Sequence, residues 1–95
     1  MTGFSIAITT TNSNESAEKI IAAVMKKKLA ACVQVFPVVS HYVWKVELLR
    51  EDEVLLQMKI KTADYEALAE TIRTIHPYDT PEIVRLEIVQ GEKVI

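Results

Sequence analysis

From Phe4 onward the chain alternates, with Phe4, Ile6 and Ile8 standing against Ser5, Ala7 and Thr9. That period of two predicts a half-buried strand over 4–10. The polar cluster Thr11-Asn12-Ser13-Asn14-Glu15 follows, and Asn12 with Glu15 three residues on has the form of a capping box. Beyond it Ala17, Ile20, Ile21, Val24 and Met25 share one helical face. Lys26, Lys27 and Lys28 fall in the last turn, where cations offset the negative end of the helix dipole, giving a helix of about four turns.

The stretch from Cys32 to Lys61 contains no glycine and is rich in Val, Tyr, Trp and Phe. Val54, Leu56, Met58 and Ile60 alternate with Leu55, Gln57, Lys59 and Lys61, a strand pattern, and Cys32 to Trp44 is strand-like with an interruption at Pro37. The missing amide of Pro37 predicts a bulge or an edge position. A turn must join these strands. Lys45-Val46-Glu47 is preferred over Arg50-Glu51-Asp52, although neither has Asn-Gly turn chemistry. Thr62 is read as the cap of a second helix that buries Tyr65, Leu68, Ala69, Ile72 and Ile75 and stops at Pro77. A turn from His76 to Pro81 leads into a last strand, Ile83 to Val89. The order β-α-β-β-α-β predicts an α+β fold, the ferredoxin-like (split β-α-β) sandwich: an antiparallel sheet with a long central hairpin and two helices on one face. With no linker, residues 1–95 are expected to form one domain.

Length sharpens this picture. A strand of about 13 residues spans ~43 Å, whereas a compact chain of this size is roughly 32 Å across. The hairpin therefore outgrows its own monomer, and its tip is apolar: Val43, Trp44, Val46, Leu48 and Leu49. Either the tip folds back or it pairs with a neighbouring copy's sheet edge; the second is preferred, so a homo-oligomer is expected, with dimer and trimer equally open on these grounds.

Composition excludes several functions. Eleven Lys and Arg against thirteen Asp and Glu give a net charge of −2, which disfavours a dedicated nucleic-acid binder. The apolar runs are far short of the ~20 residues that span a bilayer, and the N-terminus has no secretory pattern. The single Cys32 permits neither an internal disulfide nor a CxxC zinc site, so a cytoplasmic, reducing environment is expected. Only two glycines are present, so there is no Gly-rich phosphate loop and no organic cofactor is expected.

Three segments together resemble one family. Leu29-Ala30-Ala31-Cys32-Val33, then Tyr42-Val43-Trp44 ahead of Glu51-Asp52-Glu53-Val54, and finally His76-Pro77-Tyr78-Asp79-Thr80-Pro81-Glu82-Ile83 are similar in order and spacing to the CutA divalent-cation tolerance proteins. The likeness runs from about residue 6 to residue 89. It implies a ferredoxin-like homotrimer locked by long hairpins, a cytoplasmic role in tolerance of copper and other divalent metal ions, a shape like the PII signalling trimers, and no enzymatic reaction. Family members usually place a small acidic-glycine turn after the Trp, where this chain has Lys45 and Val46, and generally continue with a segment that covers the sheet edge between subunits.

His76, carried by the His-Pro-Tyr motif, is the first candidate for a copper(II) ligand, with Cys32 and Glu82 as further donors. The plainer readings are a helix-terminal histidine bonding the last carbonyls for His76, burial for Cys32, and a cross-strand partner for His41. Glu51, Asp52 and Glu53, with Glu47 nearby, read by default as a solvated, edge-protecting charge run whose members point to alternate faces, with weak, promiscuous cation binding as the furthest functional reading. Tyr42, Trp44, Lys59 and Tyr78 are candidates to line an inter-subunit ligand cleft. The leading expectation is thus a non-enzymatic homotrimer that binds copper(II) or a related divalent ion weakly. The alternatives are a PII-like sensor holding a small anionic metabolite near Lys59 and His76, or a non-catalytic scaffold. A hydrolase comes last, because nothing pairs a base with Cys32 or His76.

Overall fold

The computed structural model describes residues 2–92. Strand β1 (Phe4–Thr11) leads into helix α1 (Asn14–Lys26), then the hairpin of β2 (Cys32–Trp44) and β3 (Glu47–Lys61), helix α2 (Tyr65–Ile75) and strand β4 (Ile83–Glu87). The sheet runs β2-β3-β1-β4 with every neighbouring pair antiparallel, the ferredoxin-like arrangement. Both helices cover one face. There Ala7, Val54, Leu56, Met58 and Ile60 meet Ala17, Ile20 and Val24 of α1 and Leu68 and Ile72 of α2.

The strand patterns hold, but the two helix starts differ from the sequence reading. The N-cap of α1 is Ser13, whose hydroxyl accepts from the Ser16 amide at 3.0 Å, rather than Asn12 in a box with Glu15. Ser13 has the extended backbone a cap needs, and Ser16 in turn shares a 2.6 Å hydrogen bond with Thr11. Thr62 does not cap α2: Thr62–Asp64 form a 3-10 turn, and the Thr62 hydroxyl is bonded instead to Ser5 at 2.6 Å. At its other end α1 closes in a Schellman motif, with Leu29 N–H donating to the Val24 carbonyl and Lys28 N–H to that of Met25. Lys28 takes the left-handed conformation (φ 57°) that glycine usually fills there. α2 ends at Ile75, immediately before His76-Pro77, as expected.

The sides of β1 are the main surprise. Ser5, Ala7, Thr9 and Thr11 face the helices and are buried, while Ile6 and Ile8 lie on the opposite face, which no element among the described residues covers. By register Leu55, Phe36, Val84 and Leu86 share that face. Phe36 is 42% exposed, Val84 41% and Leu86 49%. Cys32 belongs to the same side, opposite Lys59, and is exposed rather than buried. Its strand is apolar, but its parity turns it away from the helices.

The hairpin has the predicted length. The long axis of the molecule is 43 Å, and β3 pairs with β1 only from Val54 to Lys61. From Val38 to Glu53 the hairpin is a two-stranded ribbon standing clear of the core. It turns at Lys45 and Val46, both with positive φ (48° and 66°), as a two-residue type I′-like turn. A left-handed β-branched residue costs about 1–2 kcal/mol, and Val46 is 96% exposed, so its side chain returns no packing within the chain. Val46→Gly should raise stability by about 1 kcal/mol in urea unfolding. A loss of stability would show that a neighbouring copy covers Val46.

Candidate functional site

The ribbon meets the turn between α2 and β4 across a cleft of about 730 Å³. Ser40, His41, Tyr42 and Trp44 of β2 and Glu51 and Glu53 of β3 form one wall, and Tyr78, Asp79, Thr80 and Glu82 form the other. Thr10, at the end of β1, lies between them. Strand alternation places Glu51 and Glu53 on the cleft side and leaves Asp52 off it.

Two tyrosines tie the walls to these carboxylates. Tyr78 donates its hydroxyl to Glu53 at 2.6 Å, across from turn to ribbon, and Tyr42 donates to Glu51 at 2.5 Å within the ribbon. The acidic run is therefore not merely solvated: two of its three members hold phenols. Partial burial, then the Glu53 carboxylate, push the Tyr78 phenol above its ordinary value of 10.0, and the Glu51 hydrogen bond raises Tyr42 in the same direction. The folded chain thus holds the Tyr78 proton more tightly than the unfolded chain does. This stabilisation is complete below pH 10 and declines as pH rises above it. Tyr78→Phe should lower stability by about 1 kcal/mol at neutral pH and flatten the alkaline decline, measured by urea unfolding from neutral pH upward.

His76 sits behind Tyr78, 9% exposed. Its Nδ1 accepts from the Tyr78 amide at 3.1 Å, and Nε2 lies 2.8 Å from the Thr10 carbonyl. Those partners assign a neutral ring with the proton on Nε2, donated to Thr10. The ring also packs at a tilt against Tyr78, with centroids 4.8 Å apart. It therefore bonds a carbonyl of β1, not the last carbonyls of α2, and both nitrogens are engaged.

The site residues named from sequence divide into groups. Tyr42, Trp44, Tyr78 and Glu82 come together in the cleft. Lys59 does not: it lies on the uncovered sheet face, where its ammonium donates to Gln34 at 3.0 Å. Lys59 pairs with Ile6, four residues along β1 from Thr10, so it and His76 are about 13 Å apart along the strand. A small anion does not reach both across that distance, and among the described residues no Lys or Arg lines the cleft. Cys32 shares the Lys59 end of the sheet, away from His76. Among the described residues no three His, Cys, Asp or Glu side chains are grouped to hold a metal ion. His41 faces Arg50 across the ribbon and also lines the cleft. The part played by Glu51 and Glu53 was missed from sequence, although their spacing of two beside a strand carrying Tyr42 was the available signal.

Residues 5–94 match the family described as CutA1 divalent ion tolerance protein. The chain is 40% identical over 88 residues to the CutA homolog of Xenopus laevis, covering 92% of this chain and 58% of that protein. It is 37% identical over 89 residues to the divalent-cation tolerance protein CutA of Thermus thermophilus, covering 93% of this chain and 86% of that one. The fold is similar to the structure of the periplasmic divalent cation tolerance protein CutA from Archaeoglobus fulgidus, with a TM-score of 0.92 and 30% identity over 95% of this chain and 88% of that one. The chain thus spans less than two thirds of the Xenopus relative and most of the prokaryotic ones.

Proposed function

This chain belongs to the CutA1 divalent ion tolerance family, and from that premise we propose that it acts as a non-catalytic homotrimer binding copper(II) or a related divalent ion weakly. The observation that carries the assembly is the uncovered sheet face. Ile6, Ile8, Phe36, Leu55, Val84 and Leu86 form an apolar surface without a covering layer, beside a ribbon whose Val43 and Leu48 are 65% and 86% exposed. Surface of this kind on both faces of one sheet favours self-association, and a closed ring satisfies every copy equally. Three-fold closure is what the family resemblance implies.

The metal reading rests on family membership and on the donors present. Within one chain Cys32 lies at the other end of the sheet from His76, and no three such donors group among the described residues, so a site joining His76, Cys32 and Glu82 draws ligands from more than one copy. Coordination through Nδ1 of His76 displaces the Tyr78 amide, and through Nε2 it strips the Thr10 carbonyl of its donor. Either cost keeps the affinity low. The exposed, unpaired Cys32 suits a reducing compartment, and a cytoplasmic location is part of this proposal.

Native mass spectrometry with and without copper(II) tests the reading. The expected result is a trimer that gains copper in steps up to one per subunit, and uptake that is lost in His76→Gln while the trimer persists. Glutamine retains a donor toward Thr10. A monomer would reject the assembly, a bare trimer would reject direct copper binding, and unchanged uptake in the variant would reject His76 as ligand.

A further inference from the structure

Along β3 the uncovered sheet face changes charge from one end to the other. Strand parity puts Glu51, Glu53, Leu55, Gln57, Lys59 and Lys61 on this face. The carboxylates stand on the ribbon, and the ammonium groups stand at the far end, opposite Ile6 and Phe4. β1 and β2 carry no Asp, Glu, Lys or Arg, and Arg85 and Glu87 of β4 lie on the helix side. The face is therefore bipolar, acidic at the ribbon and basic at the base. On the homo-oligomer reading above, we propose that copies associate with opposite ends of this face together. The Lys59 ammonium of each copy is then neutralised by the ribbon carboxylates Glu51 and Glu53 of the next.

Lys59 makes the demand for a partner. It is half-buried in the single chain, in one row with Cys32, Ile6 and Leu86. Its ammonium donates to Gln34 Oε1 at 3.0 Å, on the side of the ribbon, and Gln57 donates to the same oxygen at 3.1 Å. That amide oxygen is neutral, and among the described residues no carboxylate pairs with Lys59. A second copy that covers Ile6 and Leu86 also withdraws this ammonium from water. A charge so withdrawn is tolerated only when it is paired. Its own chain does not supply the partner, because Glu53 is six residues along β3, roughly 20 Å away, and Glu51 is farther.

The direction of contact follows from the charges. Like ends together would set ammonium against ammonium and carboxylate against carboxylate, whereas opposite ends relieve both repulsions at once. Head-to-tail contact uses a different patch of each copy on its two sides, which is the kind of interface that closes into a ring. The ribbon has the reach, since residues 38–53 stand clear of the core. Its carboxylates are also held in position: Glu51 accepts from Tyr42 and Glu53 from Tyr78. A carboxylate with one such bond keeps acceptor sites for an ammonium.

Light scattering coupled to size exclusion over a dilution series gives the dissociation midpoint of the full chain. A parent that is monomeric at every concentration would overturn the assembly and this contact together. For an associating parent, Lys59→Glu should shift the midpoint toward monomer by roughly a hundred-fold or more. Glu51→Gln/Glu53→Gln keeps both tyrosine acceptors and removes the charge, and should shift it by about ten-fold, as should Lys59→Met. Lys59→Met combined with Glu51→Gln/Glu53→Gln should lose no more than either alone, because neither variant then strands a charge. Circular dichroism reports whether each variant is folded, and the neutral variants complete the comparison without Lys59→Glu. Losses that multiply in the combined variant, or an unchanged midpoint in Lys59→Met, would overturn the contact while leaving the assembly standing. None of these residues is a proposed copper donor, so copper uptake is a separate result.

Discussion

Replacing His76 by alanine should lower the stability of the folded chain by about 3 kcal/mol, a large share of the 5–15 kcal/mol typical of a small domain. The ring is buried and both its nitrogens are used, so its removal leaves the Thr10 carbonyl and the Tyr78 amide without partners. Each orphaned buried group costs about 1–3 kcal/mol, and the ring's contact with Tyr78 is lost as well. The Tyr78 turn then loses its anchor to the end of β1, which loosens the wall of the cleft. His41→Ala supplies the control, because His41 is exposed and its loss should change stability by no more than about 0.5 kcal/mol. Denaturant unfolding of both variants with comparable m values makes the comparison. Equal, small effects would show that the His76 hydrogen bonds contribute little beyond what water replaces.

Leu86→Glu should convert the proposed homotrimer to monomers. In the single chain Leu86 is 49% exposed on the edge strand β4, so a glutamate there costs an isolated subunit little. Against a neighbour's sheet the same carboxylate would be buried without a cationic partner, a penalty of several kcal/mol repeated at every copy of the interface. In a closed ring each subunit would contribute the same face, so one substitution would act on every interface. Light scattering coupled to size exclusion reads the mass. A variant that keeps the parent's mass would place the association surface elsewhere, on the ribbon alone. Arg85→Ala, whose partners Ser5 and Glu87 lie within the chain, should leave the mass unchanged.

Much of the fold was legible along the chain because strands and helices carry different periods. Val54 to Lys61 alternates and is a strand, with its four apolar members buried. Ala17, Ile20 and Val24 recur at helical spacing and meet the sheet. Pro77 stops α2 through its missing amide, and the hairpin turns at Lys45-Val46 even though neither residue favours positive φ. The cap of α1 was misplaced by one residue because Thr11, Asn12, Ser13 and Asn14 are all competent caps, and only the backbone path selects Ser13. The candidate site was legible in its aromatic members and in Glu82, and wrong in its charge. Lys59 shares the strand parity of Glu51 and Glu53 but lies at the far end of β3, opposite Ile6 and Cys32, too far along the strand to join the cleft.

The periodicity, the overlong hairpin and the His-Pro-Tyr turn were determined by the sequence itself, since each is a local property of residue type and spacing. Which face of β1 the helices would cover was decided by tertiary structure. Two sets of residues alternate there, and the smaller set, Ser5, Ala7 and Thr9, is the one that lets α1 and α2 approach the sheet. The larger set, Ile6 and Ile8, is then left for a surface outside the chain. The pairing of Tyr78 with Glu53 and of His76 with Thr10 was likewise decided only in three dimensions. Those partners are 25 and 66 residues apart, and one of the accepting groups is a backbone carbonyl, which residue type does not reveal.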